Sequence, residues 1–406
     1  MSRTVHAWVS HAGRYAGAVP PFEVATPWWP DVEPVVAHLD AVLGGPTAVL
    51  RLLRVADPDR GRGGTVTYHV EADEPSPDGV LDPTPPADWA VVTALQPRRA
   101  VWAEPGGPSA LVEWAIAALG VPLAGRPTQV KSWNLSCVYR LPTGGGPVWA
   151  KATGAFLVGD AQAIDLVARH DPRLVPAVLA ADPARNRSLL RDAPGVDCFE
   201  TDPVTIRAVV GRWVTVQAAA ADDAALGGLP SRRPAELLPW LADVVERRRP
   251  GDSDAQRLVD ALPGLVEALD AAGLPTTLVH GDFHPGNWRS DGPDGPDGPD
   301  GSAHMILDWG DCYAGHPAAD IHRLTEWLPS PQRAVAVRAW VDAWQAHRPG
   351  SDPRRALAPM RVLGAVTAAI VYQRFLDNIE PDERIYHEDD PLTEIRDAIT
   401  ALDQLG

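Results

Sequence analysis

The period of hydrophobic and polar positions changes along the chain, and the changes divide it into three stretches, 1–98, 99–194 and 195–406. In the first, Val35 to Leu43 has the spacing of a helix. Thr47 to Val55 and Thr65 to Ala72 read as strands, joined as a hairpin across the turn-rich Asp57 to Gly64. Glu74 to Asp88 is Pro-rich and acidic, which predicts a linker or surface loop. This stretch offers no recognisable chemistry and is expected to be a small α/β cap or accessory domain.

From about Val101 the pattern is different. Ser109 to Leu119 predicts an amphipathic helix, Gln129 to Leu141 and Val148 to Ala152 an antiparallel hairpin around Pro142 to Gly146, and Asp160 to His170 a second helix. With short strands at Val178 to Ala181 and Ser188 to Leu190, the expectation is a small antiparallel sheet carrying one helix. After Gly195 the periodicity is helical at Pro203 to Ala220, Ala235 to Arg248, Ala255 to Ala272, Gln332 to His347, Ala356 to Ile379 and Leu392 to Leu405. Strand and loop patterning interrupts these helices from Thr276 to Leu324. Three Gly-Pro-Asp triplets, Gly292 to Asp300, predict an exposed loop between two strands that end near Arg289 and begin at Met305.

Composition narrows the class. With 45% hydrophobic and 22% charged residues the 406-residue chain has material for a buried core. A formal charge of −17 without a basic stripe argues against nucleic acid as a partner. No apolar run approaching the ~20 residues of a bilayer span and no signal peptide are read, so no membrane partner and a cytoplasmic location are expected. Cys137, Cys198 and Cys312 have no paired spacing and are expected to be reduced and structural. Of the 36 basic side chains only Lys131 and Lys151 are lysine. A lysine kept against that bias is a candidate for chemistry that arginine does not replace. Oligomeric state is not legible.

The informative run is Leu278-Val279-His280-Gly281-Asp282-Phe283-His284-Pro285-Gly286-Asn287, followed by Ile306-Leu307-Asp308-Trp309-Gly310-Asp311. An apolar strand delivers a His-Gly-Asp turn, an asparagine follows five positions after the aspartate, and a second apolar strand presents another aspartate. Protein kinases space a catalytic Asp, a metal-binding Asn and a metal-binding Asp in this way. Phosphoryl transfer needs a carboxylate to orient the acceptor hydroxyl and Mg²⁺ to bridge the nucleotide phosphates. Asp282 is the candidate base, Asn287 and Asp308 the candidate metal ligands through hard oxygens, and His280 is expected to brace the loop.

These residues, continued by Gly315-His316-Pro317-Ala318-Ala319-Asp320, resemble the aminoglycoside phosphotransferase and choline kinase superfamily over about Val101 to the C-terminus. The resemblance implies an α+β, protein-kinase-like two-lobe fold: a small antiparallel β lobe with one helix that binds nucleotide (99–194), then a mostly helical lobe holding the catalytic loop and acceptor site (195–406). Extra N-terminal cap regions occur in bacterial sugar kinases of this superfamily. It also implies an ATP- and Mg²⁺-dependent kinase that phosphorylates a hydroxyl of a small molecule, a sugar, amino sugar or aminoglycoside-like compound. By that likeness Lys151, ending the strand Val148-Trp149-Ala150-Lys151, contacts the α and β phosphates. Its helix partner departs from the family pattern, since Asp160, Gln162 and Asp165 stand where a glutamate is expected, and Asp160 is chosen by position. The nucleotide-covering hairpin, Ser132 to Cys137, contains no glycine, which assigns ATP contacts to Ser136 and backbone amides. Arg191 lies in the segment corresponding to the adenine-contacting hinge. His284 is grouped with His280 and Asp282 as catalytic.

Further acceptor-side candidates are Asp311, the group Gln373, Arg374 and Asp377, and the indoles Trp309, Trp327, Trp340 and Trp344, the last two with the spacing of core residues. Asp320 is expected to tie the catalytic loop by accepting backbone amides. The acidic stretch Glu380 to Asp390 is expected to be a solvated face. Two competing readings are a nucleotide-binding sensor without turnover, supported by the absent glutamate near Asp160, and a metallohydrolase using His280, Asp282, His284, Asp308 and His316 as ligands.

Overall fold

The structure, a computed structural model of the chain, describes residues 2–59, 62–221, 223–291 and 304–405. The fold is α+β and divides into two compact units. The first comprises Met1–Leu157, Val178–Asp192 and Leu376–Glu388.

Within the first unit, Arg3–His11 buries Val5, Ala7 and Val9 in strict alternation, the period that one covered sheet face requires. This strand pairs antiparallel with Arg14–Val24 and parallel with Thr65–Ala72, which pairs antiparallel with Thr47–Ala56. Helix Glu33–Leu43 lays Val35, Val36, Leu39 and Leu43 into the same core. The hairpin and helix agree with expectation, whereas the first two strands were not expected. A second, five-stranded antiparallel sheet runs in the order Thr128–Ser132, Ser136–Leu141, Val148–Thr153, Arg187–Arg191, Val178–Asp182. Helix Gly107–Leu119 packs Leu111 and Ala115 into its core. Two backbone bonds, Val32 N–H to Val130 O at 3.1 Å and Ser132 N–H to Pro30 O at 3.1 Å, stitch the N-terminal segment to the edge strand of that sheet. Gln129 adds a clamp, accepting from Val49 N–H at 2.8 Å and donating to Val49 O at 2.9 Å.

The acidic stretch from Glu380 departs from expectation. Glu380 is 1% exposed and pairs with Arg51 at 2.7 Å and Arg99 at 3.0 Å, both themselves buried. Glu383 is also buried. The arginines that neutralise Glu380 lie about three hundred positions earlier, so local charge density did not reveal them.

The second unit comprises Val158–Ala177, Ala193–Phe375 and Asp389–Gly406. Its helices include Pro203–Ala220, Leu237–Arg248, Ser253–Asp270, Ser330–His347 and Asp390–Asp403, close to the periodic stretches of the sequence. Pro203 opens the first of them and Asp202 caps it, its Oδ1 accepting from Val204 N–H at 2.6 Å, the arrangement that satisfies otherwise orphaned amides. Helix Ala318–Trp327 lies inside the segment read as strand and loop. Helix Pro353–Asn378 is long and apolar enough to cross a membrane by length and composition, unlike the expectation, but 56% of its most apolar window is buried inside the protein, as in a core helix. Strands Trp288–Ser290 and His304–Ile306 pair antiparallel as expected, and the Gly-Pro-Asp triplets between them lie outside the described residues. The three cysteines are free and buried, and burial pushes the thiols of Cys137 and Cys198 up to about 12 and about 11.

Two measurements check the buried charges. Glu380→Ala removes the buried carboxylate that Arg51 and Arg99 share, leaving them the more exposed Asp382 at 3.2 Å and Glu104 at 3.7 Å, and is expected to cost about 3 kcal/mol in denaturant unfolding. Burial, then the charge of Glu380, raises Glu383 to about 8, so the folded state binds its proton more tightly than the unfolded chain and loses stability as pH rises towards that value. Glu383→Gln is expected to melt with wild type at about pH 5 and above it at about pH 8.

Candidate active site

Strand Thr277–Val279, paired antiparallel with Tyr313–Gly315, ends at His280 and starts the loop that carries Asp282. The loop is held from below by the buried Asp320, in the first turn of helix Ala318–Trp327. Its carboxylate accepts from His280 N–H at 3.0 Å, Gly281 N–H at 3.1 Å, Trp213 Nε1–H at 2.8 Å and Gln217 Nε2–H at 3.0 Å. Burial raises Asp320 to about 6 against the pull of those donors, and four N–H groups aimed at its oxygens favour the charged form. Gly281 has φ +87°, and a Cβ there would collide with the carbonyl of Asp311. Only glycine takes this turn without strain.

His280 is fully buried and uses both ring nitrogens on backbone. Nδ1 accepts from Asp282 N–H at 3.2 Å and Nε2 donates to Leu307 O at 3.0 Å. Burial pushes its pKa down to about 4, so it is neutral and serves as the expected brace. It ties the loop of Asp282 to the strand that leads into Asp308. His284 is similar: Nδ1 accepts from Gly286 N–H at 3.0 Å, and Nε2 donates to Asp282 Oδ2 at 3.2 Å. With these nitrogens committed, neither histidine offers a lone pair to a metal. Among the described residues no group of three or more His, Cys, Asp or Glu is placed to hold a metal ion. Both observations weigh against the metallohydrolase reading.

The Asp282 side chain is 31% exposed and held at both oxygens. Oδ2 accepts from His284 and from Asn287 Nδ2–H at 3.1 Å, and Oδ1 accepts from Arg323 Nε–H at 2.9 Å. Burial pushes the carboxyl up, but the His284 bond and the Arg323 charge outweigh it and hold the group well below the usual carboxylate range. Asn287 closes a single 3-10 turn, Pro285–Asn287, and its Nδ2 also donates to Asp282 O at 2.9 Å. Leu307 N–H donates to Asn287 O at 2.8 Å, which places the Asn287 and Asp308 backbones side by side. Asp308 has φ +63°, a left-handed conformation uncommon for a residue with a Cβ. An amide oxygen and a carboxylate form an incomplete hard-oxygen set, which suits Mg²⁺ completed by phosphate and water better than a cation caged by protein alone.

The structure thus brings His280, Asp282, His284, Asn287 and Asp308 together in the second unit, where Asp160 starts helix Asp160–Ala168 as a buried residue. Ser136, Lys151 and Arg191 belong to the five-stranded sheet of the first unit. Lys151 stands opposite Val138 and Ser188. Ser136, two positions from Val138, shares the face of Lys151, whereas Arg191, opposite Val148, lies on the other face. The Ser136 hydroxyl accepts from Trp133 Nε1–H at 2.9 Å. Of the four indoles named above, Trp309, Trp340 and Trp344 are buried in the core, and Trp327 alone is exposed, at 47%. Trp213, Gln217 and Arg323 went unread in the sequence. Each is an ordinary helical position whose partner lies far away along the chain.

Comparison with known proteins agrees with this geometry. Residues 156–357 match the model of a phosphotransferase enzyme family, APH. The choline kinase LicA from Streptococcus pneumoniae aligns with a TM-score of 0.52 at 15% identity, covering 73% of this chain and 99% of that one. The GDP complex of aminoglycoside 2'-phosphotransferase-IIIa aligns with a TM-score of 0.51 at 14% identity, covering 72% and 97%. Spectinomycin phosphotransferase APH(9)-Ia, in complex with ADP and spectinomycin, aligns with a TM-score of 0.50 at 10% identity, covering 72% and 98%. At these identities the likeness shows a shared fold. A search of curated proteins found no match. Residues 156–357, the segment that carries His280 to Asn287, Asp308 and Asp320 and just under half of the chain, match the phosphotransferase enzyme family, which indicates a small-molecule kinase.

Proposed function

We propose that the chain transfers the terminal phosphoryl group of ATP to a hydroxyl of a sugar, amino sugar or aminoglycoside-like acceptor, in the cytoplasm, with Asp282 as base. The observation that carries this reading is the Asp282 carboxylate itself: partly exposed, ionised, and held at both oxygens by His284, Asn287 and Arg323. A carboxylate so fixed orients an incoming hydroxyl and accepts its proton as the bond to phosphorus forms. Asn287 and Asp308 would hold Mg²⁺, which when bound offsets charge on the transferring group. Lys151 and Ser136 would contact the nucleotide from one face of their sheet. The relatives crystallised with ADP or GDP, and with spectinomycin or kanamycin, support a nucleotide and a polyhydroxylated acceptor as substrates.

Incubation with Mg·ATP and kanamycin, spectinomycin, choline, glucosamine or maltose is expected to release ADP with at least one of them. Asp282→Ala is expected to lower that rate by about 10³-fold or more with the fold retained; transfer at the wild-type rate would remove Asp282 from the mechanism. Mg·ATP is expected to raise the wild-type melting temperature through selective binding to the folded state. Asp308→Ala should lose the metal-dependent part of that rise. A shift in wild type without turnover of any acceptor would favour a nucleotide-binding sensor.

A further inference from the structure

Arg323 sits one turn before the end of helix Ala318–Trp327, on the element whose first turn carries Asp320. One helix therefore supplies the carboxylate beneath the catalytic loop and a guanidinium on the catalytic carboxylate. The Nε–H of Arg323 meets Asp282 Oδ1 at 2.9 Å, and its Nη1 lies 3.4 Å from Glu326 Oε2. Trp327 supports both side-chain groups that flank the base. Its ring stacks on the His284 imidazole with centroids 4.1 Å apart and planes at 9°, and the Arg323 guanidinium lies 5.6 Å from the Trp327 ring centroid. His284 holds Oδ2 and Arg323 holds Oδ1, so a single half-exposed indole backs both sides of the carboxylate.

The lone-pair count on Asp282 then distinguishes its two oxygens. A carboxylate oxygen accepts about two hydrogen bonds. Oδ2 already takes two, from His284 and Asn287, while Oδ1 takes that of Arg323.

We propose that Arg323, backed by Trp327, is the positioning residue of the phosphoryl-transfer site: it fixes the plane of the Asp282 carboxylate and leaves Oδ1 as the oxygen that receives the acceptor hydroxyl. This rests on the kinase reading above. In the transfer step the acceptor O–H bond breaks, its oxygen forms the bond to the γ-phosphorus of ATP, the proton passes to Oδ1, and ADP leaves with the electron pair of the broken P–O bond. Arg323 is given no contact with acceptor or phosphate and acts through Asp282, by holding the carboxylate whose Oδ1 takes the proton. The exposed part of Trp327, whose ring stacks on His284, is the surface assigned to the acceptor ring.

The test measures ADP release from Mg·ATP in the presence of the five acceptors above for wild type, Arg323→Ala, Arg323→Lys, Trp327→Ala and Trp327→Phe. Arg323→Ala is expected to lower kcat by about 10²-fold, the scale of a misplaced reacting group, with KM for ATP unchanged and with partial recovery in added guanidinium at a non-denaturing concentration. Arg323→Lys should retain part of the activity. Trp327→Ala should raise KM for the acceptor, and Trp327→Phe should preserve it. Wild-type kcat in Arg323→Ala, or a loss that neither lysine nor guanidinium relieves, would overturn the proposal. Without ADP release from wild type the kinase reading itself fails, and the pair is then decided by melting temperatures of Arg323→Ala, Asp282→Ala and the double variant. A formed pair makes the double variant lose less than the sum of the singles. Additive losses would overturn the proposal whatever the turnover.

Discussion

The Asp320 carboxylate is buried at the start of a helix, with four N–H groups converging on it, two from the backbone of His280 and Gly281 and two from the side chains of Trp213 and Gln217. A buried charge survives only if it is fully hydrogen-bonded. These four donors come from the strand end that launches the loop of Asp282 and from helix Pro203–Ala220, so satisfying one carboxylate fixes the loop against two helices at once. Gln217 extends the tie by donating to Leu278 O at 3.0 Å. The positive φ of Gly281 follows from this constraint, because the chain must turn sharply to present both amides to one carboxylate.

Above that anchor the site is built in tiers. His280 is neutral and buried, and it links the amide of Asp282 to the carbonyl of Leu307. This sets the spacing between Asp282 and the strand that presents Asp308. His284 and Asn287 close over the other side and meet on Oδ2 of Asp282. Each histidine in the motif spends its nitrogens on geometry. The chemistry is thereby left to carboxylates and an amide oxygen, the donor types that suit phosphoryl transfer with a hard cation.

The first unit solves a related electrostatic problem by different means. Glu380 lies between Arg51 and Arg99 without appreciable solvent, and the Asn134 side chain, in the turn between strands Thr128–Ser132 and Ser136–Leu141, donates to Glu383 O at 3.3 Å. That turn lacks glycine, and its position is held by side chains: Trp102 Nε1–H donates to Trp133 O at 3.0 Å. A segment from late in the chain thus becomes part of the N-terminal architecture.

What was legible in the sequence is local. His280 to Asn287 lie within one strand-turn segment, so their residue types and spacing prescribe their mutual geometry, and the long helices show in their periodicity because one face must be buried. Strands Arg3–His11 and Arg14–Val24 and helix Ala318–Trp327 escaped notice, the first strand because Ala, His and Trp dilute its alternation, the second because Gly17 and Pro20-Pro21 interrupt it, the helix because its first turn reads as a motif. Only the tertiary structure decided that Arg323 meets Asp282, that Trp327 and no other of its four candidate indoles is exposed, and that Glu380 is a buried partner of arginines from the far end of the chain. These contacts join residues far apart in sequence, and nothing in a linear pattern encodes a distance that arises only when separate segments pack.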